Sequence, residues 1–259
     1  MRVVIKLGGR ALDSKELVRK FAQTIADVAQ SGHKVAVIHG GGAAVTRALK
    51  DLGRESQFIN GLRVTDSQTR DVALMVLAGQ LNKSLVASIG ATGQTAIGLC
   101  GGDMGMFRAA RMHGHPELGY VGEINSVETR WLEMMWQHDI VPVISSIALG
   151  SDGEYYNVNA DHMASACAAA CNADALVFLT DVAGVKGADG DVIRWLHVKN
   201  IRGMVDDSTI SGGMLPKLEA CTSALKHGVH RVRILPAENV EVLPGFFTSK
   251  IECGTEVIA

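Results

Sequence analysis

The chain has 259 residues, 47% hydrophobic and 20% charged, with a formal charge of −2, enough sequence for one large domain or two lobes around a substantial core. That balance, with a pI near 6.5, gives no electrostatic case for nucleic acid or an anionic membrane as partner. Cys100, Cys167, Cys171, Cys221 and Cys253 follow neither a CxxC nor a Cys/His metal spacing, so they read as small core residues of a reducing compartment, and no metal ligands are assigned.

Met1 to Lys6 runs straight into an expected strand, leaving no room for a targeting peptide. No uninterrupted apolar window approaches the length of a membrane span, and a cytoplasmic protein is expected. Val3 to Ile5 is a short apolar run ended by Gly8-Gly9, as for a buried parallel strand. Ser14 stands where an N-cap belongs, and Leu17, Phe21, Ile25 and Val28 recur at helical spacing until Gly32. Val35 to Ile38 is a second buried strand ending in His39-Gly40-Gly41-Gly42, with a helix from about Ala43 to Leu52. This β-α-β-α order predicts a mostly parallel sheet with helices on its faces, whose ligands bind beyond the carboxyl ends of the strands.

From Gln57 to Thr65 the pattern becomes a hairpin turning at Asn60-Gly61. Asp66 is placed to cap a long helix running to about Ile89. Strands are expected over Gln94–Leu99, Phe107–Met112, Tyr120–Asn125 and Ile140–Ile144, with a loop at His113–Pro116 and a helix over Val127–His138. Trp131, Trp136 and the nearby methionines read as core or subunit contact. Asp152-Gly153 turns into Asn157-Val158-Asn159-Ala160-Asp161, which opens a helix over 160–172. Ala175 to Leu179 is a strand, Lys199–Val205 and Leu215–His227 are helices, and Val232–Leu235 is a last strand. A lobe boundary falls near residue 173 without a linker, so one sheet is expected to run through both lobes.

Three separated segments carry the chemistry. Lys6-Leu7-Gly8-Gly9 ends the first strand, Asn157–Asp161 opens a helix, and Ser211-Gly212-Gly213-Met214-Leu215-Pro216-Lys217 opens another. A carboxylate between two lysines, flanked by glycine turns, suits the transfer of a highly anionic group. Gly40-Gly41-Gly42 leads into a helix N-terminus, whose free N–H groups favour an anion. His39-Gly40-Gly41-Gly42 also resembles an esterase oxyanion loop, but no G-x-S-x-G elbow accompanies it. Neither a P-loop nor a G-x-G-x-x-G fingerprint is present. Taken singly these signals are weak, since a lysine at a strand end is often a snorkelling surface residue and Asn-x-Asn often a local backbone device. His113 and His115 read as part of a variable surface segment.

In this order, Lys6–Gly9, His39–Gly42, Gly61-Leu62-Arg63-Val64-Thr65, Asn157–Asp161, Thr180-Asp181-Val182-x-Gly184-Val185 and Gly212-Gly213-Met214-x-x-Lys217 resemble the amino acid kinase family. The similarity reaches the closing Gly254-Thr255-Glu256-Val257-Ile258. Gly61–Thr65 and Asn157–Asp161 point more narrowly to its branch that phosphorylates the side-chain carboxylate of N-acetyl-L-glutamate with MgATP, in arginine biosynthesis.

The resemblance implies a three-layer αβα sandwich with a mostly parallel central sheet through two lobes. Residues 1–173 would bind the acetylated amino acid and dimerise, and 174–259 would bind ATP. It also implies that Lys6 and Lys217 stabilise the phosphoryl group in transit, that Asp161 orients them, and that Gly9 and Gly41 donate backbone N–H groups. Gly41, Gly42, Arg63, Asn157 and Asn159 would hold the acceptor, with Arg63 on its α-carboxylate. Thr180, Asp181, Val182, Gly184, Val185 and Lys186, with Ser211, Gly212 and Gly213, would border ATP, and Mg²⁺ would be held mainly through the nucleotide phosphates.

Arginine-inhibited family members carry an additional N-terminal helix; a first strand starting at Arg2 implies a homodimer insensitive to arginine. The alternatives are a sister kinase for an amino-blocked aminoadipate-type acid, or a catalytically silent amino-acid-binding relative. One methylene is worth only about 1–3 kcal/mol of discrimination. The joint presence of Lys6, Asp161 and Lys217 argues against silence.

Overall fold

Successive side chains of a strand face opposite sides of its sheet, and β1 (Arg2–Leu7) uses both sides. Val3, Ile5 and Leu7 enter one hydrophobic layer, and Val4 enters the other. The computed structural model describes residues 1–247 and 253–259, the side chains of Gly9 and Arg10 excepted.

After β1 come α1 (Lys15–Gln30), β2 (Lys34–His39) and α2 (Gly42–Asp51). Ser14 caps α1 as expected, its Oγ accepting from the Leu17 N–H at 3.2 Å. The hairpin of β3 (Phe58–Ile59) and β4 (Leu62–Arg63) turns through Asn60 at φ 50° and Gly61 at φ 80°, the double left-handed turn that an Asn-Gly pair favours. Asp66 caps α3 (Ser67–Leu74) by accepting from the Thr69 N–H. A π-helical segment, Met75–Leu81, joins α3 to α4 (Asn82–Gly90).

The rest runs β5 (Ala96–Cys100), β6 (Phe107–Arg111), β7 (Val121–Val127), α5 (Arg130–Gln137), β8 (Val141–Ser145), β9 (Ile147–Gly150) and β10 (Tyr155–Val158). Then follow α6 (Ala160–Ala170), β11 (Ala175–Thr180), β12 (Trp195–His197), α7 (Val198–Asp206), α8 (Met214–Lys226), β13 (Arg231–Pro236), α9 (Leu243–Phe246) and β14 (Thr255–Ile258).

Eight strands form one sheet in the order β12-β14-β13-β11-β1-β2-β8-β5. Every pairing in it is parallel except β13 with β14. Phe21 and Ile25 of α1, Leu85 and Ile89 of α4 and Phe246 of α9 cover one face. Met135 and Trp136 of α5, Met163 and Cys167 of α6 and Cys221 of α8 cover the other. The fold is therefore the expected three-layer αβα sandwich. β1 lies between β11 and β2, so the sheet is continuous where the two lobes were expected to meet. Here the chain's connections diverge to either side, the kind of switch point at which open α/β sheets bind ligands.

Four differences from the sequence expectation stand out. The strands β6, β7, β9 and β10 close on themselves as a small separate barrel; β9 was not foreseen, and β10 was read only as the continuation of the Asp152-Gly153 turn. Residues 127–129 belong to β7 and its exit, so α5 starts at Arg130. The helical run Ser67–Gly90 contains a stretch long and apolar enough to cross a membrane, which corrects the earlier reading; here Leu85 and Ile89 pack it into the core with α1. Cys253 is half-buried, unlike the four buried cysteines. Trp136 is core, its Nε1–H donating to Val35 O at 2.8 Å.

Candidate active site

Lys6 lies near the carboxyl end of β1, in register with Ile38 on one side and Phe178 on the other. Asp161 is the second residue of α6, and Lys217 stands in the first turn of α8. Lys6 Nζ is 2.8 Å from Asp161 Oδ1, and Lys217 Nζ donates to Asp161 Oδ2 at 2.9 Å. All three side chains are buried. Lys217 Nζ also sits 5.3 Å from the centre of the Phe178 ring, a cation–π contact.

Local chemistry builds this trio. Asn159 caps α6, its Oδ1 accepting from the N–H groups of Asp161 at 2.8 Å and His162 at 3.2 Å. The cap fixes the first helical turn, where the macrodipole favours a carboxylate. Burial alone would raise the Asp161 pKa, but the charges of Lys6 and Lys217 outweigh it and hold the carboxyl below the usual range. Burial lowers the Lys6 pKa, with the charge of Asp161 opposing and that of Lys217 assisting. One carboxylate thus serves two ammonium groups, leaving the cluster one positive charge in excess and suited to an anion.

Gly8 makes room for this arrangement, since a Cβ there would lie 2.1 Å from Lys6 Nζ. Gly9 opens the 3-10 turn Gly9–Asp13. Gly41 N-caps α2, and a Cβ on it would lie 2.2 Å from Leu81 Cδ1 and 2.8 Å from Leu77 Cδ2. The π segment therefore presses directly on the Gly40–Gly42 turn.

A cavity of about 210 Å³ opens beside Lys6 and Asp161 and is lined by Gly41, Gly42, Arg63, Asn157 and Asn159 among others. The structure thus brings together the residues expected to hold an acceptor. Arg63 is buried, donating from Nη2 to Gly42 O and Thr46 Oγ1, each at 2.8 Å, and from Nη1 to Ser56 Oγ. The Phe58 ring lies 4.7 Å from its guanidinium carbon. Burial lowers the Arg63 pKa. Asn157 Nδ2 donates to Thr65 Oγ1 at 3.4 Å. Gly8 and Leu62, within motifs already singled out but given no role of their own, also line it, and sequence reasoning missed Ser146 and the apolar side chains Val45, Phe58, Leu77 and Val121.

A second cavity, about 600 Å³, lies beyond the carboxyl ends of β11 and β13. Thr180, Asp181 and Val182, three of the residues expected to border ATP, line it together with Asp191, Arg194, Pro236, Glu238, Asn239, Cys253 and Gly254. Asp181 is a residue of this lining whose charge is felt by Lys6, raising its pKa slightly. Gly184, Val185 and Lys186 do not line it. Val185 is buried and donates its N–H to Thr255 Oγ1 at 2.9 Å, and Lys186 bridges to Val192. Ser211, Gly212 and Gly213 likewise lie outside the lining, leading into α8 and thus to Lys217.

A mostly parallel αβα sheet with two lysines around one carboxylate, beside a cavity at its switch point, defines a protein built to handle an anionic group. Residues 1–236 match the amino acid kinase family. The chain belongs to that family. It is 60% identical to the acetylglutamate kinase of Acidobacterium capsulatum over 259 residues, covering 100% of both chains. It is 56% identical to that of Koribacter versatilis, covering 100% of this chain and 99% of the relative. A solved structure from Streptococcus mutans superposes with a TM-score of 0.85 at 25% identity, over 100% of this chain and 98% of that one.

Proposed function

We propose that this protein transfers the γ-phosphoryl group of ATP to the side-chain carboxylate of N-acetyl-L-glutamate, giving N-acetyl-L-glutamyl 5-phosphate and ADP, a step of arginine biosynthesis. The observation carrying the reading is the Lys6–Asp161–Lys217 cluster beside the cavity that presents Arg63. Full-length identity of 60% to an acetylglutamate kinase supports the choice of acceptor.

The acceptor carboxylate is ionised at neutral pH and needs no general base. Its oxygen bonds to the γ-phosphorus as the bond to the β–γ bridging oxygen breaks, and ADP carries away that electron pair. Catalysis then reduces to in-line placement and neutralisation of charge spread over the phosphoryl oxygens. Lys6 and Lys217 supply the charge, with backbone N–H donors from Gly9 and Gly41. Arg63 takes the α-carboxylate, for which a planar guanidinium is suited. Gly42, Asn157 and Asn159 border the same acceptor.

The second cavity, between Thr180–Val182 and Pro236–Asn239, fits a nucleotide in size, and Arg194 and Asn239 stand in its lining beside the carboxylates of Asp181, Asp191 and Glu238. Both Asp161 oxygens are engaged by lysines, which fits Mg²⁺ held mainly through the nucleotide phosphates. When bound, that ion adds further neutralisation of the transferred group. In this reading residues 1–173 form the acceptor lobe and 174–259 the nucleotide lobe of a cytoplasmic homodimer.

The test is ADP release with MgATP and, in turn, N-acetyl-L-glutamate, L-glutamate, L-aspartate and N-acetyl-aminoadipate, with hydroxylamine to trap an acyl phosphate. Turnover confined to N-acetyl-L-glutamate, with hydroxamate formed, is expected. Preference for the longer acid moves the protein to the sister reaction, and ligand binding without turnover overturns the enzymatic reading.

A further inference from the structure

His39 ends β2 and is fully buried. Its backbone is fixed on both sides, since the Gly40 N–H donates to Leu7 O at 3.2 Å and the Ser146 N–H donates to His39 O at 3.1 Å. The ring makes two contacts, Nδ1 with Gly40 O at 2.9 Å and Nε2 with Asn82 Nδ2 at 3.1 Å. A carbonyl only accepts, so Nδ1 carries the proton; Nε2 is then bare and accepts from the Asn82 amide. Burial supports this neutral ring by pushing the His39 pKa down to about 4, against the opposing bond to Gly40.

Asn82 follows the π segment. It is fully buried, and its Nδ2 also lies 2.9 Å from Val143 O and 3.2 Å from Leu99 O. The two N–H groups of the amide are thus shared among β8, β5 and the His39 ring, linking α4 to all three. The same π segment supplies Leu77 and Leu81, which pack where a Gly41 side chain would be.

The Gly40 carbonyl and the Gly41 N–H belong to one peptide, which is trans. A planar trans peptide holds these two groups antiparallel. Anchoring the carbonyl on His39 therefore sets the direction of the Gly41 N–H beside the cavity. We infer that His39 and Asn82 form a buried positioning pair that aims the Gly40–Gly41 peptide, and with it the donor that meets the transferred phosphoryl group. The inference rests on the phosphoryl-transfer reading above for what the donor meets, and on geometry alone for how it is aimed. Because that donor strengthens in the transition state, its misdirection lowers kcat more than it raises KM.

The experiment compares His39→Phe, which removes both ring nitrogens, with His39→Asn, whose amide can still donate to Gly40 O. His39→Phe is expected to lower kcat about 10- to 100-fold while KM for each substrate changes less than about threefold, and His39→Asn is expected to recover most of the loss. Unchanged kcat in His39→Phe, a loss carried by KM, or no recovery in His39→Asn overturns the inference. The imidazole ¹⁵N shifts of the wild-type protein supply a readout independent of turnover and of variant folding. A protonated Nδ1 with a bare Nε2 is expected, and the opposite tautomer overturns the pair. If the wild-type protein turns over no acceptor, the assigned reaction fails while the tautomer and the Gly41 amide resonance still test the positioning.

Discussion

Gly8 lies beneath the ammonium of Lys6, so near that a methyl group on it would stand 2.1 Å from Nζ. The lysine can reach Asp161 only because residue 8 has no side chain. Gly8→Ala should therefore displace Lys6 and lower kcat on the order of 100-fold, as loss of one aimed electrostatic donor does. Steady-state kinetics check this, and a variant with wild-type kcat would show that Lys6 need not occupy its observed position.

The two lysines and their shared carboxylate should separate rate from stability. Lys217→Met removes a cation yet leaves Lys6 paired with Asp161, so kcat should fall about 100- to 1000-fold with a modest change in stability. Asp161→Asn leaves two buried ammonium groups facing a neutral amide, and uncovering buried charge of this kind costs about 3–5 kcal/mol. Urea unfolding of both variants checks the order. Equal stabilities would mean that the lysines do not depend on Asp161 for their burial.

Arg63 is expected to act on acceptor binding. Hydrogen bonds to a charged group contribute about 1.5–3 kcal/mol, so Arg63→Lys should raise KM for the acceptor about 10- to 100-fold and leave KM for ATP near its original value. A rise confined to ATP would reverse the assignment of the two cavities.

Stability should fall on mild acidification because of His39. Its pKa drops from 6.5 to about 4 on folding. Between those values the unfolded chain binds the proton and the folded chain does not, so the stabilisation is complete above pH 6.5 and is lost as pH falls toward 4. The full difference is roughly 3 kcal/mol. Asp161 acts in a lower window, because its folded pKa lies below its ordinary 3.8 and its contribution is lost only below that. Urea midpoints at pH 7 and pH 5 should differ less in His39→Asn than in the wild-type protein. An equal drop would place the titration elsewhere.

The parallel sheet was legible because its strands are continuous apolar runs ending in glycine, as in Val35–Ile38 before Gly40. Caps at Ser14 and Asp66 and the Asn60-Gly61 turn were readable for the same local reason. The small barrel was not, since β9 and β10 are four residues each and their partners β6 and β7 are remote in sequence. The π segment left no trace in periodicity because it inserts only a slight phase change into an apolar helix.

At the site, lysine, aspartate and arginine could be picked out through family resemblance. The steric roles of Gly8, a member of the Lys6–Gly9 motif, and of Leu81 could not, because they depend on what folds against them. Arg194 and Asn239 became candidates only when the sheet brought separate loops to one cavity.

The buried trio has a consequence for how temperature should act on the reaction. Lys6, Asp161 and Lys217 have already lost most of their hydration in the resting protein, so their ammonium groups need shed little water when a phosphoryl group arrives. The solvent reorganisation that would otherwise belong to the activation barrier has been moved into the folding equilibrium. Loosening the α6–α8 contact by heat would readmit water to those charges and slow the chemistry before the sheet itself comes apart.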